Sequence, residues 1–204
     1  EKFGALLQKA FELAPGKYPQ SAVQQNRAAI LALGIAIGDE RLARFVNLDE
    51  QKELLDQAVL LRQGTTIRDR NDWTRHFCLS AALAVLENNL VSDASGLLKE
   101  QMDALTGGSG FSFTDIAADR AGVRFALAAT NSEEDAIAMQ KLLMGEYHVN
   151  NFLPDITDLP EGLTTEQFRE KYGKMGSELY REQVSVIETR LDSCLALSPL
   201  QPGK

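Results

Sequence analysis

Apolar residues recur at helical spacing from one end of this chain to the other, and no run alternates apolar and polar residues in the Val-, Ile- and Thr-rich manner of a strand. Phe3, Leu6, Leu7, Ala10, Phe11 and Ala14 form one stripe, and Pro15-Gly16 stops it. The pattern predicts an all-α protein, a multi-helix orthogonal bundle with no β-sheet. A chain of 204 residues is long enough for one sizeable core and short of the usual length for two, so one domain over residues 1–204 is expected.

Capping and breaking residues divide the chain further. A helix from Ser21 to Gly38 is followed by a short one over Glu40 to Val46. Asp49 with Lys52 and Glu53 opens another, with Leu54, Leu55, Ala58 and Leu61 on its stripe and its end near Gly64. Asn71 is expected to cap a helix over Asp72 to Leu86, and Ser92 or Asp93 one that runs to about Leu105. The glycine-dense stretch Gly107-Gly108-Ser109-Gly110 then breaks the chain. Ser112 with Asp115 reads as a capping box ahead of a helix through Ala129, and Ser132 starts one that ends at Gly145. An ordered loop is expected over Tyr147 to Gly162, a helix after Thr164, and a last helix over Ser177 to Leu197 with Val184, Val186, Ile187, Leu191 and Leu195 buried. The central helices, 71–130, thus sit between helical extensions at 1–64 and 132–197, with a loose tail at 198–204.

Charge removes one class of function. Asp and Glu outnumber Lys and Arg by 29 to 21, and a net charge of -8 repels nucleic acid at long range. The most apolar run, Ala28 to Gly38, falls short of the roughly 20 residues that a membrane-spanning helix needs. Cys78 and Cys194 are too few and too far apart for a zinc site or a disulfide framework and read as small buried hydrophobes.

Chemistry is suggested by three polar pairs, each on one helix face: Asp72 with His76, Glu100 with Asp103, and Asp115 with Asp119. If those faces meet, one imidazole and several carboxylates form the kind of site helical bundles use for a divalent metal ion. Glu100, Asp103, Asp115 and Asp119 are the candidate ligands, His76 a ligand or general base, and Ser109 a residue lining the pocket; Asp72 and Lys99 complete the polar network. The plainer reading makes these residues dipole partners, caps and surface ion pairs. Asp119 resists it, because small residues surround it in Ala117-Ala118-Asp119-Arg120-Ala121-Gly122 and a carboxylate in close packing needs a partner, for which Arg120 and Arg124 are the nearest candidates. A relay through Asp72, His76 and Ser80 is geometrically poor on one straight helix, and Gly107 to Gly110 has neither the lysine nor the preceding strand of a phosphate loop. Trp73, Phe77, Phe111 and Phe113 read as core anchors, and His148 as a solvated loop residue.

The blocks Asp72-Trp73-Thr74-Arg75-His76-Phe77-Cys78-Leu79-Ser80-Ala81, Lys99-Glu100-Gln101-Met102-Asp103 and Gly108-Ser109-Gly110-Phe111-Ser112-Phe113-Thr114-Asp115-Ile116-Ala117-Ala118-Asp119-Arg120-Ala121-Gly122 resemble, in order, the YfiM-like family of small bacterial envelope lipoproteins, and more distantly the VanZ-like membrane proteins. The resemblance covers residues 72–122. It implies a periplasmic address, with lipid anchoring through a segment outside this sequence compatible with it, and an envelope component or protein as partner. It carries over His76, Glu100, Asp103, Asp115 and Asp119, with Lys99 and Ser109 beside them. Two functions follow as expectations: a structural or adaptor module of the envelope, or a metal-dependent hydrolase or transferase acting on an envelope component.

Overall fold

The computed structural model describes residues 2–15, 20–87 and 110–197. They form an all-α bundle: α1 (Lys2–Leu13), α2 (Ala22–Leu33), α3 (Lys52–Gly64), α4 (Asn71–Glu87), α5 (Phe113–Thr130), α6 (Glu133–Met144), α7 (Thr165–Tyr172) and α8 (Glu178–Asp192), with short π and 3-10 turns between them. Among the described residues the only β pairing is two isolated bridges, Ile67 with Arg70 and Phe111 with Leu163. The helix expected over residues 92–105 and the loose tail lie outside the described residues.

Helix starts follow the hydroxyl caps. Ser21, Ser112, Ser132, Thr164 and Ser177 each accept a backbone N–H of the first turn that would otherwise be orphaned. Asn71 behaves differently. It is the first residue of α4, and its amide donates back to the carbonyls of Arg62 and Thr65, tying the end of α3 to the start of α4.

α4 lies along α5 in the most extensive helix contact of the described fold. Small residues make this possible: Ala81, Ala117, Ala118 and Ala121 are buried at the seam, and a Cβ at Gly122 would overlap the Phe77 carbonyl group. On the other side of α4, α2 passes into a π turn, Gly34–Gly38, whose glycines press against Ala82 and the Leu79 backbone. Aromatic rings fill the core beside these contacts, in a chain from Phe3 through Phe77 and Phe125 to Phe152.

α3 stands at the edge of the core, and the burial expected of the last helix fails in part. α3 has no buried residue, and Leu54 and Leu61 are exposed, because α3 rests on the π turn at the outside of the bundle, where Arg62 donates to the carbonyls of Ile35 and Ala36. The last helix ends at Asp192 rather than Leu197, and a 3-10 turn follows. That change of phase turns Leu195 outward and buries Cys194, Ala196 and Leu197; Val186 is exposed on the outer face of α8, while Ile187 and Leu191 are buried as expected. Cys78 and Cys194 are both free and buried.

The loop before α7 is ordered by two arginines. Arg68, at a φ of 48°, donates to the carbonyls of Leu153 and Pro154 and to Asn150. Arg70 reaches Glu161, which also accepts from Thr114 at the start of α5.

Two measurements probe this frame. Gly122→Ala is expected to cost at least about 1–3 kcal/mol, the usual penalty for overpacking, in urea unfolding; a neutral result would mean that the helices do not approach as described. Asp39 caps the 3-10 helix Glu40–Val46 by accepting from the Arg41 N–H at 2.9 Å and pairs with the Arg41 guanidinium. Burial pushes its pKa up, but hydrogen bonds from Arg41 and the charges of Arg41 and Arg62 outweigh burial and hold it below the ordinary value. A depressed carboxyl stabilises the fold above its unfolded pKa and loses that contribution as pH falls through the folded one. Asp39→Ala should therefore cost about 1 kcal/mol at pH 7, and the deficit should shrink as pH drops below about 4.

Candidate functional site

Four polar side chains are set into the seam of small residues. His76 and Ser80 stand one turn apart on α4, and Asp115 and Asp119 one turn apart on α5. Asp119 Oδ1 is where they meet: His76 Nδ1 lies 3.2 Å from it, and Ser80 Oγ donates to it at 2.6 Å. The second ring nitrogen, Nε2, faces Asp115 Oδ2 at 3.7 Å, beyond hydrogen-bond range. Ser80 is buried, whereas the His76 and Asp119 side chains are 19% and 21% exposed, so water reaches the edge of the cluster.

Local rules place Asp115 here. Ser112 caps α5 by accepting the Asp115 N–H at 3.1 Å, and an acid in the first turn suits the positive end of the helix dipole. Its carboxyl is turned inward, and Oδ1 is buried with no hydrogen-bond partner among the described residues. An unmet acceptor of this kind costs about 1–3 kcal/mol.

The electrostatics of the two helices oppose each other. Burial raises the Asp115 carboxyl above its ordinary pKa; the nearby charge of His76 works against the rise, and those of Asp72 and Asp119 add to it. At His76 burial favours the neutral ring, but the Asp119 hydrogen bond and the charges of Asp119, Asp115 and Asp72 outweigh it and lift the imidazole above its ordinary value. The cluster thus favours a charged ring against Asp119 and resists a second full negative charge at Asp115.

The structure brings together His76, Asp115 and Asp119 of the expected site. Asp72 shares α4 with His76 but is engaged by Arg70, with nitrogen to oxygen distances of 2.9 and 2.6 Å. The same guanidinium lies over the Trp73 ring, 4.5 Å from its centroid. Lys99, Glu100, Asp103 and Ser109 lie outside the described residues. Arg120 and Arg124, the nearest candidates to partner Asp119, instead pair with Glu188, and Arg124 also with Asp192, on α8. A partner next to Asp119 in sequence leaves a helix in a different direction, whereas Ser80 and His76 face it across the seam. Among the described residues no three His, Cys, Asp or Glu side chains are grouped to hold a metal ion.

Sequence reasoning singled out Ser80 only as the end of a relay from Asp72. Its role is to donate to Asp119, and the i, i+4 spacing from His76 was the available signal. Comparison with known proteins gives no further guide: no family model matches this chain, and no curated protein or solved structure is significantly similar to it.

Ser80→Ala removes a buried hydrogen bond to a carboxylate and is expected to cost about 1.5–3 kcal/mol. Urea unfolding of Ser80→Ala, Asp119→Ala and the double variant should show a loss in the double variant smaller than the sum of the two single losses; strict additivity would show that the two side chains do not interact.

Proposed function

We propose that this chain is a structural or adaptor module of the bacterial cell envelope, working on the periplasmic side, in which the α4–α5 cluster acts as a clasp. The observation that carries the reading is the double use of Asp119 Oδ1. One carboxylate of α5 takes hydrogen bonds from two residues a turn apart on α4, which fixes both the rotation and the register of the two helices. The resemblance of residues 72–122 to small envelope lipoproteins supplies the address. Excess negative charge favours a protein or other envelope component over nucleic acid as the partner.

A clasp makes a demand on stability that a solvent-exposed ion pair does not. Asp119→Ala should cost about 2–3 kcal/mol at pH 7, somewhat below the loss for breaking a fully buried pair because part of the side chain meets water. Asp119→Asn should retain part of that, since its amide oxygen still accepts from Ser80. Chemical denaturation of the three proteins reads the difference, and an Asp119→Ala variant as stable as the parent would end the clasp reading. Fractionation of bacteria that express the gene in full should place the protein in the periplasmic or envelope fraction; a wholly cytoplasmic distribution would remove the address.

A further inference from the structure

The clasp leaves one polar atom without a role. Asp115 Oδ1 is buried and accepts nothing from the described residues, in a side chain that is only 9% exposed. Its sister oxygen stands 3.7 Å from His76 Nε2. That gap is too long for a hydrogen bond, and it lies near the roughly 3.4 Å between two donors each about 2.1 Å from one tetrahedral ion. On the far side of the ring, Nδ1 rests against Asp119 Oδ1 at 3.2 Å. A carboxylate behind the imidazole is the usual way a metal-binding histidine is oriented and made more basic.

We infer that the seam takes up a divalent cation of the zinc class, held by His76 Nε2 and an oxygen of Asp115, with Asp119 as the carboxylate that orients the ring. This revises the roles expected from sequence, where Asp119 was itself a ligand. A mixed nitrogen and oxygen donor pair suits zinc or cobalt better than magnesium or calcium, which prefer oxygen throughout. Two protein donors leave the remaining positions to water, which makes a site of modest affinity that exchanges its ion. The inference rests on the clasp reading for the place of Asp119 alone. The ion would join α4 to α5 one turn away from the Ser80 contact and add to the hold of the same helix pair.

The test is a titration of the purified protein with cobalt(II), followed by its visible absorption, together with thermal melting with zinc and with chelator. The expected result is one cobalt ion per chain, displaced by zinc, and a melting temperature that rises with zinc and falls back with chelator. His76→Ala and Asp115→Ala should abolish the cobalt spectrum, Asp115→Asn should weaken uptake, and Asp119→Asn should weaken it roughly 10- to 100-fold without abolishing it. Far-UV circular dichroism of the near-isosteric Asp115→Asn variant separates loss of the site from loss of the fold. No cobalt uptake by the parent protein, or uptake unchanged in both Asp115 variants, overturns the inference. Failure of the clasp itself reads out separately, as an Asp119→Ala variant of undiminished stability in metal-free buffer.

Discussion

Backbone contact between α4 and α5 sets the terms for the rest of this molecule. Where Gly122 lies against the Phe77 carbonyl and alanines line the seam, the two backbones approach too closely for a large side chain to come between them. A polar group placed there has to find its partners on the facing helix or leave them unmet. Asp119 finds two of them in His76 and Ser80; among the described residues one oxygen of Asp115 is left unmet. Both the paired and the unpaired polar groups of the seam follow from how closely the two helices approach.

The architecture was largely legible in the sequence because helices announce themselves locally. Apolar spacing gave the all-α class, and hydroxyl residues marked starts at Ser21, Ser112, Ser132, Thr164 and Ser177. What was not legible depended on phase and on position in the bundle. The helical stripe of the last segment assumed one uninterrupted helix, and the break after Asp192 rotated Leu195 to the surface. The apolar stripe of α3 carries no sign of its place, since nothing local in sequence reveals that a helix will sit at the periphery.

The site divides in the same way. His76 and the two aspartates were recognisable from their spacing, since i, i+4 pairs share a face whatever the fold. Their partners were not, because Ser80 with Asp119, Thr114 with Glu161 and Arg70 with Glu161 are contacts between distant segments. Arg120 and Arg124 show the cost of reading charge locally: one is adjacent to the carboxylate in sequence and the other five positions on, and both turn to α8. Recognition of such a network needs the packing that brings its members together.

Asn26 of α2 is fully buried, and its amide donates to Ala129 O at 2.8 Å and Ala136 O at 3.0 Å while its oxygen accepts from Gln140. Its partners stand more than a hundred positions further along the chain, a sequence separation of 103 for the nearer carbonyl. Long-range closure of this kind slows folding, because the entropy of a large loop is lost before the contact is gained. The first helices therefore cannot bury their most polar core side chain until residues beyond 136 have been made. During synthesis the N-terminal part waits, with its apolar stripes uncovered, for the turn between α5 and α6 to arrive.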